Sequence, residues 1–255
     1  MATQMGMFPF RGKMGNVVFY KLNGQWVART KGGATAEQIA TQPRFQRTHE
    51  NSLDFGRAMR ASQAMRATFQ PMSHTNPDKL LGRRLLTTMI SVIKADTKSK
   101  RGFRNVLDGK LDLFEGFEFN EKGKLSNTIT APYKPAIDRE TGEMTISIPS
   151  FIPQKMVFAP PAATHFKFIS GGSALDFESK KPEVSLDSSA ELPLNNVATG
   201  EIVLNIKVPA NSTHPLFLAL GVEFYQEMNG VMYRLTDGSF NALAMVKVRP
   251  HPPVL

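Results

Sequence analysis

The chain has 255 residues, 41% of them hydrophobic, which is enough for one large domain or two ordinary ones with a buried core. It contains no cysteine, which excludes disulfides, a thiolate nucleophile and a cysteine-ligated metal site. The formal net charge of +9 is uneven, because residues 1–110 carry 19 Lys/Arg against 6 Asp/Glu and residues 111–255 carry 12 against 16.

The first predicted element is a β-hairpin from Gly12 to Arg29. Val17, Val18, Phe19 and Tyr20 favour a strand, as do Trp26 and Val27. Asn23-Gly24 between them suits a type I′ turn, where both positions need positive φ. An isolated hairpin is marginal in water, so this one is expected to dock on later domains or on another copy. Val17, Val18, Tyr20, Trp26 and Val27 are its candidate assembly residues, and Val17 and Trp26 should be covered from outside the hairpin. Arg11, Lys13, Lys21, Arg29 and Lys31 make the segment basic.

A Gly/Ala/Thr connector follows at Gly32-Gly33-Ala34-Thr35. Phe55, Met59, Ser62, Met65, Arg66 and Phe69 then recur at steps of three and four, predicting one face of a helix from about Thr48 to Phe69 that Pro71 ends. A second helix is expected from about Asn76, with Pro77 at its first position, to about Asp96. Leu81, Leu85, Thr88, Met89 and Val92 form its apolar stripe. The following loop holds Lys98, Lys100 and Arg101, which with Arg104 form a candidate basic contact. The sequence allows a short third helix over Phe103–Leu107.

From about residue 125 the texture is that of short strands. Eight are predicted: 126–131, 143–149, 165–170, 174–178, 201–208, 215–226, 231–235 and 241–249. Met144, Ile146 and Ile148 alternate with Thr145 and Ser147, and a second Asn-Gly turn stands at Asn229-Gly230. The expected fold class is α+β, an N-terminal hairpin and helical hairpin followed by an antiparallel, immunoglobulin-like β-sandwich. The corresponding regions are 1–110, a connector at 111–130, and 131–255.

The hairpin residues Gly12, Lys13, Gly15, Asn16, Val17, Val18, Tyr20, Gly24, Val27 and Arg29 resemble a signature of uncharacterised Bacteroidota proteins, roughly S-G-K-x-G-N-V-V-G-Y-x-W-x-G-x-x-V-x-R. In those proteins a connector, a Gln-Arg-x-x-F-like helix start, helices and a β-sandwich follow. Pro43, Arg44, Phe45, Gln46 and Arg47 occupy the corresponding region here. The chain departs from the signature at Phe19, where the family often has Gly, and at Leu22, where it often has an aromatic. The resemblance implies an organisation and a host phylum, and no activity.

Chemical motifs are missing. His49, His74, His165, His214 and His251 lie in no metal-ligand spacing, so no metal is expected. Gly32-Gly33 and Gly171-Gly172 lack a phosphate-binding pattern and read as turns. No G-x-S-x-G elbow occurs. Asp138, Glu140 and Glu143 read as a hairpin loop. Asp112, Glu115, Glu118 and Glu121 alternate with Leu113, Phe114, Phe117 and Phe119, as either an acidic, aromatic partner surface or a packed connector. No catalytic residue, cofactor or enzyme activity is expected. The leading expectation is a structural protein that self-assembles as a homo-oligomer or joins a larger particle, with copies of itself or another structural protein as partner. The alternative is nucleic-acid binding by the basic half, with Phe10, Tyr20 or Trp26 stacking on bases. No stretch approaches the ~18 apolar residues of a membrane span. MATQMGMFPF lacks the features of a secretory signal, pointing to cytoplasmic synthesis and leaving the final location open.

Overall fold

The strand-forming residues near the start of the chain build a sheet of their own. The computed structural model describes residues 2–4, 8–30, 32–73, 78–178, 183–236 and 239–252. By contacts the chain divides into residues 1–49 and 50–255. The first unit holds β1 (Ala2–Thr3), β2 (Gly12–Met14), β3 (Val17–Leu22) and β4 (Gln25–Thr30), antiparallel in the order β1-β4-β3-β2. The predicted hairpin is β3–β4, and its turn has φ of 47° at Asn23 and 84° at Gly24, the left-handed pair a type I′ turn needs. Strand β2 lies inside the expected Gly12–Arg29 hairpin, ahead of its two expected strands, and β1 lies outside it. The Gln4 side chain ties their connection: its Nε2 donates to the Phe10 carbonyl and its Oε1 accepts the Phe10 N–H at 2.7 Å. Helix α1 (Ala36–Thr41) starts with a reciprocal cap between Thr35 and Gln38. A 3₁₀ turn at Pro43–Phe45 leads into α2 (Gln46–Thr68), within whose first turn the division falls.

The second unit continues with α3 (Gln70–Ser73), α4 (Leu81–Lys94), α5 (Leu125–Thr128), β5 (Lys134–Ile137), β6 (Glu143–Ile148), α6 (Pro153–Met156), β7 (His165–Ala174), β8 (Ser185–Ser188), β9 (Leu192–Pro193), β10 (Ile202–Lys207), β11 (Leu216–Met228), β12 (Val231–Leu235) and β13 (Ala242–Arg249). Strand β11 is the axis of a six-stranded antiparallel sheet. It pairs with β7 along one side; on the other it pairs with β13 at Leu216–Val222 and with β12 at Phe224–Met228. Strands β8 and β9 share the outer edge of β7. A three-stranded sheet runs β10-β6-β5.

The larger sheet is covered on both faces. Leu216, Leu218, Leu220, Val222 and Phe224 face a core shared with Met144, Ile146, Ile148, Leu204 and Ile206 of the smaller sheet. Phe217 and Ala219 point the other way, into a core with Met65 and Phe69 of α2 and the adjoining turn, and with Leu85, Met89 and Val92 of α4. This is why β11 reads as an apolar run without alternation, as a strand buried on both faces should. The expected α+β class and antiparallel sandwich are both present, and helices α2, α3 and α4 pack on one face of that sandwich.

Several local expectations change. The predicted strand at 126–131 starts as helix α5, whose Leu125 N–H is received by the Glu118 carboxylate and whose Thr128 hydroxyl bonds the Lys124 carbonyl. The predicted strand at 165–170 extends to Ala174 as β7, whereas the predicted strand at 174–178 is a loop beyond its first residue, turned where Asp176 accepts the Glu178 N–H. Gly171 and Gly172 are therefore mid-strand and not a turn. A Cβ on Gly171 would lie 2.3 Å from the Met72 sulfur, and one on Gly172 would lie 2.7 Å from the Met144 sulfur, so the pair lets both cores close on β7. Residues 103–107 form a loop in place of a helix. The buried Asp96 carboxylate accepts the N–H groups of Lys98, Ser99 and Asn105 and holds that loop. Phe55 and Met59 are exposed, whereas Ser62, Met65 and Phe69 are buried as expected; Ala58 and Ala61 complete the packed face. Pro71 lies inside α3, and the predicted start at Asn76-Pro77 lies outside the described residues.

Candidate interaction surface

In the first unit, register and pleat sort the side chains onto two faces. One carries Met14, Val17, Phe19, Ala28, Lys21 and Trp26; the other carries Lys13, Val18, Arg29, Tyr20, Val27, Leu22 and Gln25. The five candidate assembly residues are therefore split, with Val17 and Trp26 on one face and Val18, Tyr20 and Val27 on the other. Among the described residues of this unit Val27 alone is buried; Val17 and Trp26 are half-buried. Phe8 is 80% exposed, Phe10 61% and Met14 65%. The Lys21 ammonium sits 5.8 Å from the Trp26 ring, and the rings of Phe10 and Phe19 meet at 5.8 Å.

Strand β2 ends at Gly12, opposite Phe19, while β3 continues to Leu22. An open groove of about 640 Å³ lies there, lined by Arg11, Gly12, Lys13, Val18, Phe19, Tyr20, Lys21 and Trp26. Its described lining joins Arg11, Lys13 and Lys21 with the aromatic Phe19, Tyr20 and Trp26, contributed from both faces of the sheet, and includes no carboxylate. The sequence marks these cations as basic, although the expected basic contact is at Lys98, Lys100, Arg101 and Arg104. The available signal was the acid-free start of the chain, whose first acidic residue is Glu37.

In the second unit the structure spreads the candidate basic residues among different environments. Lys98 pairs with Asp108 at 3.0 Å, Lys100 and Arg101 are exposed, and Arg104 is half-buried. Burial opposes ionisation of Asp96, but the backbone donors of Ser99, Asn105 and Lys98 outweigh it and hold its carboxyl below the usual range. Asp108 is held low as well, first by Asn105 and then by Lys98.

The acidic, aromatic segment is a packed connector. Phe114 and Phe119 are buried, Glu115 accepts the Val248 N–H at 3.0 Å, and Glu118 accepts the Leu125 N–H at 3.1 Å. Burial pushes the Glu118 carboxyl up despite those donors. Arg84 crosses this segment, donating to the carbonyls of Glu118 and Phe119 and pairing with Asp78. Asp138, Glu140 and Glu143 lie at the β5–β6 turn, where Asp138 accepts the Glu140 N–H.

A buried carboxylate also lies on the larger sheet. Glu223 accepts the Tyr225 hydroxyl at 2.9 Å and Arg234 at 3.2 Å. Burial, and then the Glu223 hydrogen bond and charge, push Tyr225 up to about 12. Both carboxylate oxygens are thus engaged by fixed donors. His165 stands at the start of β7, 3.0 Å from the Thr164 hydroxyl. Among the described residues no three His, Cys, Asp or Glu side chains gather where they could hold a metal ion, and no helix is long and apolar enough to cross a membrane.

No family model matches the sequence, and the search of curated proteins finds no match. A solved structure from work on "pH-induced modulation of Streptococcus parasanguinis adhesion by Fap1 fimbriae" shares 9% identity, over 52% of this chain and 88% of that one. Its TM-score of 0.24 is too low to carry an argument about fold or function.

Proposed function

We propose that the chain is a non-enzymatic structural protein that self-assembles or builds into a larger particle, with the N-terminal sheet as its docking element. The observation that carries this reading is the imbalance between sheet and core in the first unit: four strands bury only Val27 among the described residues. A small sheet with so little apolar cover gains stability when a partner covers it. Met14 and Val17 share a face and are directly opposed across β2 and β3. That face is the contact surface, and the partner is a second copy or another protein of the same particle.

Size-exclusion chromatography with light scattering tests this. The intact chain should run as an oligomer, and the double variant Met14→Asp, Val17→Asp should run as a monomer with an unchanged circular dichroism spectrum. An intact chain that is monomeric at every concentration, or a double variant that assembles as well as the parent, contradicts the reading.

A further inference from the structure

The faces of the larger sheet are covered, and several strand edges of the second unit are guarded as well. The outer edge of β13 is bonded to the connector, with the Phe119 N–H on the Leu243 carbonyl and the Met245 N–H on the Phe117 carbonyl. The edge of β10 is held by β8, where Asp187 accepts the Asn205 N–H and the Ser185 hydroxyl donates to the Lys207 carbonyl. The edge strand β5 carries Lys134 and Pro135, residues that discourage further pairing. Strand β12 has none of these devices. It pairs with β11, and among the described residues no other element hydrogen-bonds to the backbone of Met232 or Arg234. We propose that the free edge of β12 pairs antiparallel with β12 of a second copy, on a two-fold axis through Tyr233.

The turn fixes which backbone groups are free. Asn229 and Gly230 have φ of 52° and 77°, a two-residue type I′ turn, so Met228 and Val231 on either side exchange both bonds across the hairpin. Alternation makes Gln226 with Tyr233, and Phe224 with Leu235, the other bonded pairs. Met232 and Arg234 therefore turn their N–H and C=O groups outward. Centring on Tyr233 sets Met232 against Arg234 of the second copy and Arg234 against its Met232, so every outward group is bonded. Centring on Arg234 would oppose two guanidinium groups. Centring on Met232 would set Arg234 against Gly230, beyond the end of the strand. In the proposed register Tyr233 meets its own copy in the non-bonded position, where side chains approach most closely, and Val231 meets Leu235. Val231 is 50% exposed and Tyr233 53%, and Met228 beside them on the same face is 53% exposed, so this pairing covers apolar surface. Arg234, the one charge of the strand, is held by Glu223 of its own chain at 3.2 Å. The edge is thus complementary to itself in hydrogen bonding, side chains and charge.

A five-residue edge buries far less than the roughly 1,200 Å² of a stable interface, so this contact alone does not hold two copies at chromatographic dilution. It goes beyond the docking proposed for the N-terminal sheet. Where that sheet holds copies together, their high local concentration lets the edges pair, and two different self-contacts per chain extend the assembly past a closed pair. The chain has no cysteine, so single cysteines report the register. Full-length Tyr233→Cys and Val231→Cys proteins are oxidised mildly at matched concentration and run on non-reducing gels. In the proposed register the two Cα atoms at position 233 lie about 4.5 Å apart, within reach of a disulfide. Those at position 231 lie about 13 Å apart, beyond it. Tyr233→Cys should therefore form the linked dimer at least about tenfold faster than Val231→Cys. Adding Met232→Pro removes an outward donor that the hairpin does not use, and should slow the Tyr233→Cys link at least about fivefold.

Equal linking rates at the two positions overturn the proposal, because they report random collision. So does a Tyr233→Cys protein that stays unlinked at the highest concentration reached. If that negative result comes from a chain whose assembly Met14→Asp, Val17→Asp abolishes, the β12 contact fails and the docking reading of the N-terminal sheet stands. If the preference for position 233 is found in a chain whose assembly Met14→Asp, Val17→Asp leaves intact, the β12 contact stands and the docking reading fails.

Discussion

In the second unit a six-stranded sheet carries Leu216, Leu218 and Leu220 into one core and Phe217 and Ala219 into another, and both faces are closed by elements of the same unit. In the first unit a four-stranded sheet buries Val27 and leaves Phe8, Phe10 and Met14 in contact with water. The charges differ as well: residues 1–36 contain five Lys/Arg and no acid, whereas the acids Glu115, Glu118 and Glu223 of the second unit are spent on internal donors. One sheet has both faces closed by its own chain. The other presents rings, aliphatic groups and cations outward, the composition on which the proposed docking role rests.

Truncating a core ring separates the two units most strongly. Phe224→Ala should cost about 3–5 kcal/mol in the main unfolding transition, because Phe224 is fully buried. Phe19→Ala in the first unit should leave that transition within about 0.5 kcal/mol, as a change on a half-exposed surface does. Equal shifts of the transition in urea would erase the distinction between the units.

Asp96→Ala should cost about 2–3 kcal/mol at neutral pH, since three backbone N–H groups lose a charged acceptor. The Asp96 carboxyl is held below the usual carboxylate range, so its contribution is present above that range and is lost as pH falls through the lower, folded pKa. Denaturant midpoints of parent and variant should therefore converge below about pH 4. A gap that persists unchanged to pH 2 would mean that the carboxylate charge does not hold the loop.

Gly24→Val should strain the β3–β4 turn by about 1–2 kcal/mol, because Gly24 has φ of 84°. Hydrogen exchange should quicken in β3 and β4 and stay unchanged in β7 and β11. The smallest effect belongs to Lys98→Ala, below about 0.5 kcal/mol, because the ion pair with Asp108 leaves the Lys98 side chain 72% exposed. A larger loss in thermal unfolding would give that loop a structural weight its exposure does not suggest.

What could be read from the sequence follows from where the signal lies. The turns at Asn23-Gly24 and Asn229-Gly230 were legible because positive φ at both positions restricts the residue types locally. Helices α2 and α4 were legible from spacing, although Phe55 and Met59 continue the apolar pattern of α2 beyond its packed face. Gly171-Gly172 misled because its reason is tertiary, the close approach of Met72 and Met144 from opposite sides of β7. The same holds for 126–131, where strand-like residues begin as helix α5 because Glu118, seven residues earlier, receives its first N–H. The aromatic residues of the groove were visible one by one. That Arg11 and Lys13 come beside them was not, because it depends on β2 pairing with β3.

Hydrogen exchange on the intact chain, followed over a hundredfold range of protein concentration at low salt, tests most directly whether the first unit is a docking module. Strands β7 and β11, closed within their own unit, should keep the same protection throughout. Protection of β3 and β4 should rise with concentration, as a sheet covered by a partner requires. Protection of β3 and β4 that is as deep as that of β11 and independent of concentration would contradict the account, because the small sheet would then be complete without a partner.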